Sequence, residues 1–151
     1  MMAEVGFYHL RSLPLDRALP KLLERALAEG RRVVVVAGSP QRVDYLDDLL
    51  WTYDEASFLP HGAAAGGHAA RQPIWLAAED ENPNGAQWVM LVDGAAADLS
   101  RYTRYFDIFD GNDEAAVAAA RQRWRDAKAA GHTLTYWQQT DRGWEKKAEA
   151  G

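Results

Sequence analysis

The feature that most constrains the fold is the run Val33-Val34-Val35-Val36-Ala37. Four consecutive β-branched residues favour an extended backbone. The absence of alternation means that both faces of that strand must be covered. Strands of this kind belong to parallel sheets flanked by helices. The segment before it supports this. Pro14 to Ala28 carries Leu15, Leu19, Leu22, Leu23 and Leu27 at helical spacing and stops at Gly30. Val5 to Leu10, upstream of that helix, reads as a first strand. Downstream, Ser39-Pro40 supplies an N-cap and a first helical residue for a second helix through Val43, Leu46, Leu49 and Leu50 to about Trp51. A β-α-β-α opening predicts a three-layer α/β domain with a mostly parallel sheet.

The rest of the chain extends the pattern. Phe58 to His61 reads as a short extended piece, and Gly62 to Gln72 as a Gly/Ala-rich surface loop. Ile74–Ala78, Gln87–Val92 and Tyr105–Phe109 read as strands. Asn112 or Asp113 is placed to cap a long Ala-rich helix ending at Gly131. His132 to Gln138 alternates as a last strand. Residues 1–140 form the expected domain, and 141–151 a charged tail expected to fray. At 151 residues there is room for one sizeable core.

Composition excludes several classes. There is no cysteine, hence no disulfide framework and no thiolate metal site. No stretch approaches the length of an apolar membrane span, and the start lacks the pattern of a secretory signal. A cytoplasmic protein without membrane contact is expected. The net charge of −5 argues against direct tight nucleic-acid binding, which draws on a basic surface.

Motifs of catalysis and of cofactor binding are missing. The turns Arg11-Ser12-Leu13-Pro14 and Gly38-Ser39-Pro40 match neither a P-loop nor a dinucleotide fingerprint. The histidines His9, His61, His68 and His132 show no metal-ligand spacing, and a structural, hydrogen-bonded role is expected for each. No catalytic residue, metal or cofactor is expected. The positive signal lies in the last helix. Arg121, Trp124, Arg125 and Lys128 fall on one face at spacings of three and four, while Arg123 points elsewhere. Such a face suits an acidic peptide, guanidinium to carboxylate and indole to apolar side chain. The plain alternative is that Trp124 packs inward and the cations complement the helix C-terminus. A second aromatic group, Trp51, Tyr53 and Phe58, is either core beneath a loop or a protein-binding patch.

At these residues the chain resembles the chi subunit family of DNA polymerase III. The resemblance runs through Phe7-Tyr8-His9-Leu10, Gly30-Arg31-Arg32-Val33, Leu46-Asp47-Asp48-Leu49-Leu50-Trp51, Ser57-Phe58-Leu59-Pro60-His61, Pro73-Ile74-Trp75-Leu76, and Arg121, Trp124, Arg125, Gly131 and Leu134. It implies a Rossmann-like domain without nucleotide-binding residues, acting as a non-catalytic clamp-loader adaptor. The implied partners are the psi subunit, or an equivalent clamp-loader component, and the acidic C-terminal tail of single-stranded DNA-binding protein (SSB), which ends in Pro-Phe. By resemblance, Arg121 meets the tail's terminal carboxylate or adjacent acidic residues, Trp124 and Arg125 wall the pocket for its final Phe with Arg125 adding charge, and Lys128 partly compensates for the charge missing at Val117. Val117 stands where the family has a basic residue, a departure that removes one electrostatic contact. Trp51 and Phe58 match aromatic positions turned toward psi and, in some members, toward a helicase-like partner. Two other readings stay open: an enzymatic or nucleotide-binding α/β domain, and an adaptor recruiting a helicase or repair factor.

Overall fold

A computed structural model describes residues 3–52, 61–63, 72–98 and 100–150. The chain runs β1 (Glu4–Leu10), α1 (Leu15–Ala28), β2 (Val33–Val36), α2 (Pro40–Thr52), β3 (His61–Ala63), β4 (Ile74–Ala77), β5 (Trp88–Leu91), β6 (Arg104–Asp110), α3 (Glu114–Ala129), β7 (Thr133–Thr140) and β8 (Gly143–Ala150). One sheet in the order β3-β4-β2-β5-β6-β1-β7-β8 organises it. Every pairing is parallel except β7 with β8. The expected mostly parallel three-layer α/β domain is the fold observed. Among the described residues, no helix is long and apolar enough to cross a membrane.

The valine run explains the layering. Val33 and Val35 point into one core with Leu19, Leu23, Leu46 and Leu50 of α1 and α2. Val34 and Val36 point into the other, with Phe7, Tyr105, Ala120 and Leu134 around α3. All four valines are buried because neither face of this central strand meets water.

The helix ends follow from local chemistry. Asp113 caps α3, its carboxylate accepting from the N–H groups of Ala115 and Ala116 at 3.0 and 3.3 Å. Gly30 and Gly131, at φ of 72° and 86°, end α1 and α3 in the left-handed conformation. The pattern is the same twice over. Gly30 and Arg31 donate to Leu27 and Ala26, and Gly131 and His132 donate to Lys128 and Ala127.

The structure departs from the sequence reading at the C-terminus. The residues expected to fray form β8, paired antiparallel to β7 from Leu134↔Ala150 to Thr140↔Gly143. Trp144 is the physical reason, packing edge to face on buried Tyr8 with ring centroids 5.1 Å apart. The charged residues Glu145, Lys146, Lys147 and Glu149 are solvated or mutually paired on this outer strand. Gly62 and Ala63, read as loop, belong to β3. Residues 64–71 of that loop and Phe58 lie outside the described residues.

Candidate functional site

In a doubly wound domain the crevice at the carboxyl ends of the strands is the first place to look for a ligand. Here it is a cleft of about 900 Å³ bounded by the ends of β1 and β6 and the starts of α1 and α3. Its polar groups are engaged with one another. The backbone N–H groups of Arg11 and Leu13, after β1, both donate to the Gln139 side-chain oxygen at 2.9 Å. The Gly38 N–H, after β2, donates to Asp93, which also holds Arg42 in a two-point pair at 3.0 and 3.1 Å. The Ser39 hydroxyl accepts from the Arg42 N–H, and Asp113 caps α3. The donors that would cradle a phosphate are therefore satisfied by side chains. Asp16, Asp93, Asp110 and Asp113 add repulsion along the walls. This agrees with the missing phosphate-binding motif.

The α3 ridge is different. Ala120 and Ala127 face the sheet and are buried, with Val117 and Trp124 beside them at the edge of the core. Trp124 packs edge to face on Phe7 and Tyr136, at 5.5 and 6.0 Å between centroids. It is half-buried, so the inward-packing reading is correct for one side of the ring. Arg121, Arg125 and Lys128 are exposed around its outer side. None of the three makes an ion pair among the described residues. Arg125 donates to Gln122 at 2.8 Å, a neutral contact on its own helix. Arg123, by contrast, turns under the helix and grips Asp107 of β6 at 2.6 and 2.9 Å. Burial pushes the Asp107 carboxyl upward, and the Arg123 guanidinium opposes that shift.

Beneath Arg121 lies a group that sequence inspection did not single out. His9 Nδ1 and the Tyr136 hydroxyl are 2.6 Å apart. Phe109 completes the cluster, 5.2 Å from the His9 ring and 6.1 Å from Tyr136. Gly111 abuts the imidazole, and a Cβ there would overlap the ring and the Leu10 carbonyl. Strand alternation alone puts Phe7 and His9 on α3's face, but the parallel pairing of Phe7 with Tyr136 is a tertiary fact. The charge of Arg121 reaches both groups, lowering the pKa of His9 and opposing the burial-driven rise at Tyr136.

For His9, burial is the largest cause of the lowered pKa, then Arg11 and Arg121, with Asp110 opposing. A lowered folded-state value means that the unfolded chain takes up the proton first as pH falls. Stability tied to His9 is thus complete above the unfolded value near 6.5 and declines as pH falls through the lowered folded value. Urea midpoints measured across this range should drop on acidification, and the drop should be smaller in His9→Gln.

The other histidines are structural as expected where they are described. His132 Nδ1 accepts from the Ala3 N–H at 3.1 Å, and His61 Nε2 lies 3.0 Å from Asp47. His68 is outside the described residues. Trp51 is 53% exposed at the end of α2, and its ring lies 4.5 Å from that of His61. It is therefore a surface residue and not part of the core. Phe58 and Tyr53, its expected companions, are outside the described residues. No cluster of side chains that could hold a metal occurs among the described residues.

The fold and the ridge define an α/β domain whose strand-end cleft is lined by groups bonded to one another and whose third helix carries cations without ion pairs among the described residues. The chain belongs to the DNA polymerase III chi subunit family: the family model described as "DNA polymerase III chi subunit, HolC" matches residues 2–135. It is also similar to the "Probable DNA polymerase III subunit chi" of Rickettsia prowazekii (strain Madrid E), with 26% identity over 109 residues. That match spans 72% of this chain and 66% of the relative, just under two thirds of its length.

Proposed function

We propose that the chain is a non-catalytic adaptor of the DNA polymerase III clamp-loader complex that holds the acidic C-terminal tail of SSB. One observation carries the reading: Arg121, Arg125 and Lys128 stand exposed, and without ion pairs among the described residues, beside a half-buried Trp124. A cation left unpaired on a protein of net charge −5 is available to an anionic partner. The indole and Val117 supply apolar surface for an aromatic terminus, and the Arg121 guanidinium can take its carboxylate in two-point fashion. Trp51, more than half exposed on α2, is assigned to a second partner, the psi subunit or its equivalent. The role is tethering: each tail is held weakly, and many tails on SSB-coated DNA raise the effective concentration.

A fluorescently labelled SSB tail peptide tests the reading. Binding should be measurable with the full tail and fall about tenfold or more when the final Phe is removed, because the apolar anchor and the position of the carboxylate are lost together. Equal affinity for both peptides would leave only non-specific charge attraction and refute the pocket.

A further inference from the structure

A second cation-and-aromatic surface lies on the opposite face of the sheet, where α1 stops short of the β7–β8 hairpin. It is a groove of about 510 Å³ between Arg25 and Glu29 of α1 and Trp137, Arg142 and Trp144 of the hairpin. Its floor is closed. Tyr8, Trp88 and Phe106 are buried, and the Arg104 guanidinium lies over Trp88 and Phe106 at 4.8 and 4.5 Å. The Arg104 Nη2 donates a long hydrogen bond of 3.4 Å to the Tyr8 hydroxyl, and its nearest carboxylate, Glu4, is 4.0 Å away. Arg25 and Arg142 make no ion pair among the described residues. Three arginines against Glu29 and Glu4 leave the groove a local excess of one positive charge in an acidic protein.

We propose that this groove is a weak site for a nucleotide unit of single-stranded nucleic acid, its phosphate met by Arg104, Arg25 and Arg142 and its base laid against Trp144 and Trp137. The closed floor favours this ligand over a peptide. The rings beneath are already packed on one another, so no hole remains for an aromatic side chain to enter. What remains is partly exposed indole surface beside guanidinium groups, the combination on which bases stack and backbones are tracked. The site stands apart from the α3 ridge, since Tyr8 and Phe7 point to opposite cores. A weak contact of this kind is compatible with the overall negative charge, which opposes tight binding.

The test is a titration of the isolated chain, followed by the indole resonances of Trp137 and Trp144, with a thymidine hexanucleotide, thymidine monophosphate and an acidic Phe-terminated peptide in parallel at low salt. The hexanucleotide should move both indole signals, and Arg25→Ala/Arg142→Ala should weaken it about tenfold while leaving peptide binding at α3 unchanged. Both substituted residues are exposed, so the fold is retained. Comparable affinity for the monophosphate would support the site and assign it to free nucleotides. No movement with either nucleic-acid probe, or movement of these indoles by the peptide alone, would overturn it.

Discussion

Arg123→Ala should destabilise the domain by about 3 kcal/mol at neutral pH, more than any change on the exposed ridge. Asp107 sits on β6 beneath α3 with its side chain only 6% exposed, and Arg123 is its ion-pair partner. Truncating the arginine strands a carboxyl group in the core. The cost falls at the lower end of the range for broken buried pairs, because 26% of the Arg123 side chain is already in water and the stranded group can take up a proton. That escape gives the prediction its signature. Burial already raises the Asp107 pKa, and without Arg123 the rise is unopposed. A carboxyl raised above its unfolded value favours folding only while protonated. The variant should therefore lose little stability in acid, below the ordinary carboxylate pKa, and progressively more as pH rises through the raised folded value. Urea unfolding at acidic and neutral pH checks this. A variant equally stable at both would show that the pair contributes nothing. Replacing both partners with leucine should recover most of the loss, since no charge then remains to bury.

Arg121→Ala should weaken the tail peptide by about 2 kcal/mol, roughly thirtyfold. Arg125→Ala and Lys128→Ala should each cost less, because Arg121 is the cation proposed to take the terminal carboxylate in two-point fashion. Two readouts separate a lost contact from a disturbed fold. The affinity difference between wild type and variant should shrink as salt is raised, since the lost interaction is charge on charge. The His9 pKa should rise in the variant, because Arg121 is one of the charges holding it down. Calorimetry giving an unchanged affinity would remove Arg121 from the site.

Features set by neighbours in the chain and features set by distant pairing differ in how well the sequence shows them. The valine run, the leucines of α1 and the caps at Asp113, Gly30 and Gly131 act through neighbours in the chain, and each was legible. The Arg121–Trp124–Arg125–Lys128 cluster was legible as a helix face for the same reason. The direction of Arg123 was legible too, although its partner was not. Nothing local marks Asp107 as that partner, and only the sheet puts it under α3. His9 was expected to be hydrogen-bonded, but its partner Tyr136 and the role of Gln139 were missed because the paired residues lie more than a hundred positions apart. Their roles depend on β1 pairing with β7, which no local pattern encodes. The C-terminal segment misled because its charges suggest a solvated tail. Only Trp144, reaching across to Tyr8, marks it as a strand.

That last strand has a consequence for how the domain behaves in a crowded solution. β7 carries Tyr136 and Trp137 beside β1, and as an outer strand it would offer a row of free amide and carbonyl groups next to two large rings. β8 covers that row and presents instead Glu145, Lys146, Lys147 and Glu149, whose mixed charges suit water and discourage another sheet from adding on. Shortening the chain before Gly143 would thus do more than trim a terminus: it would leave β7 as an open edge prone to pair with other sheets through its aromatic flank.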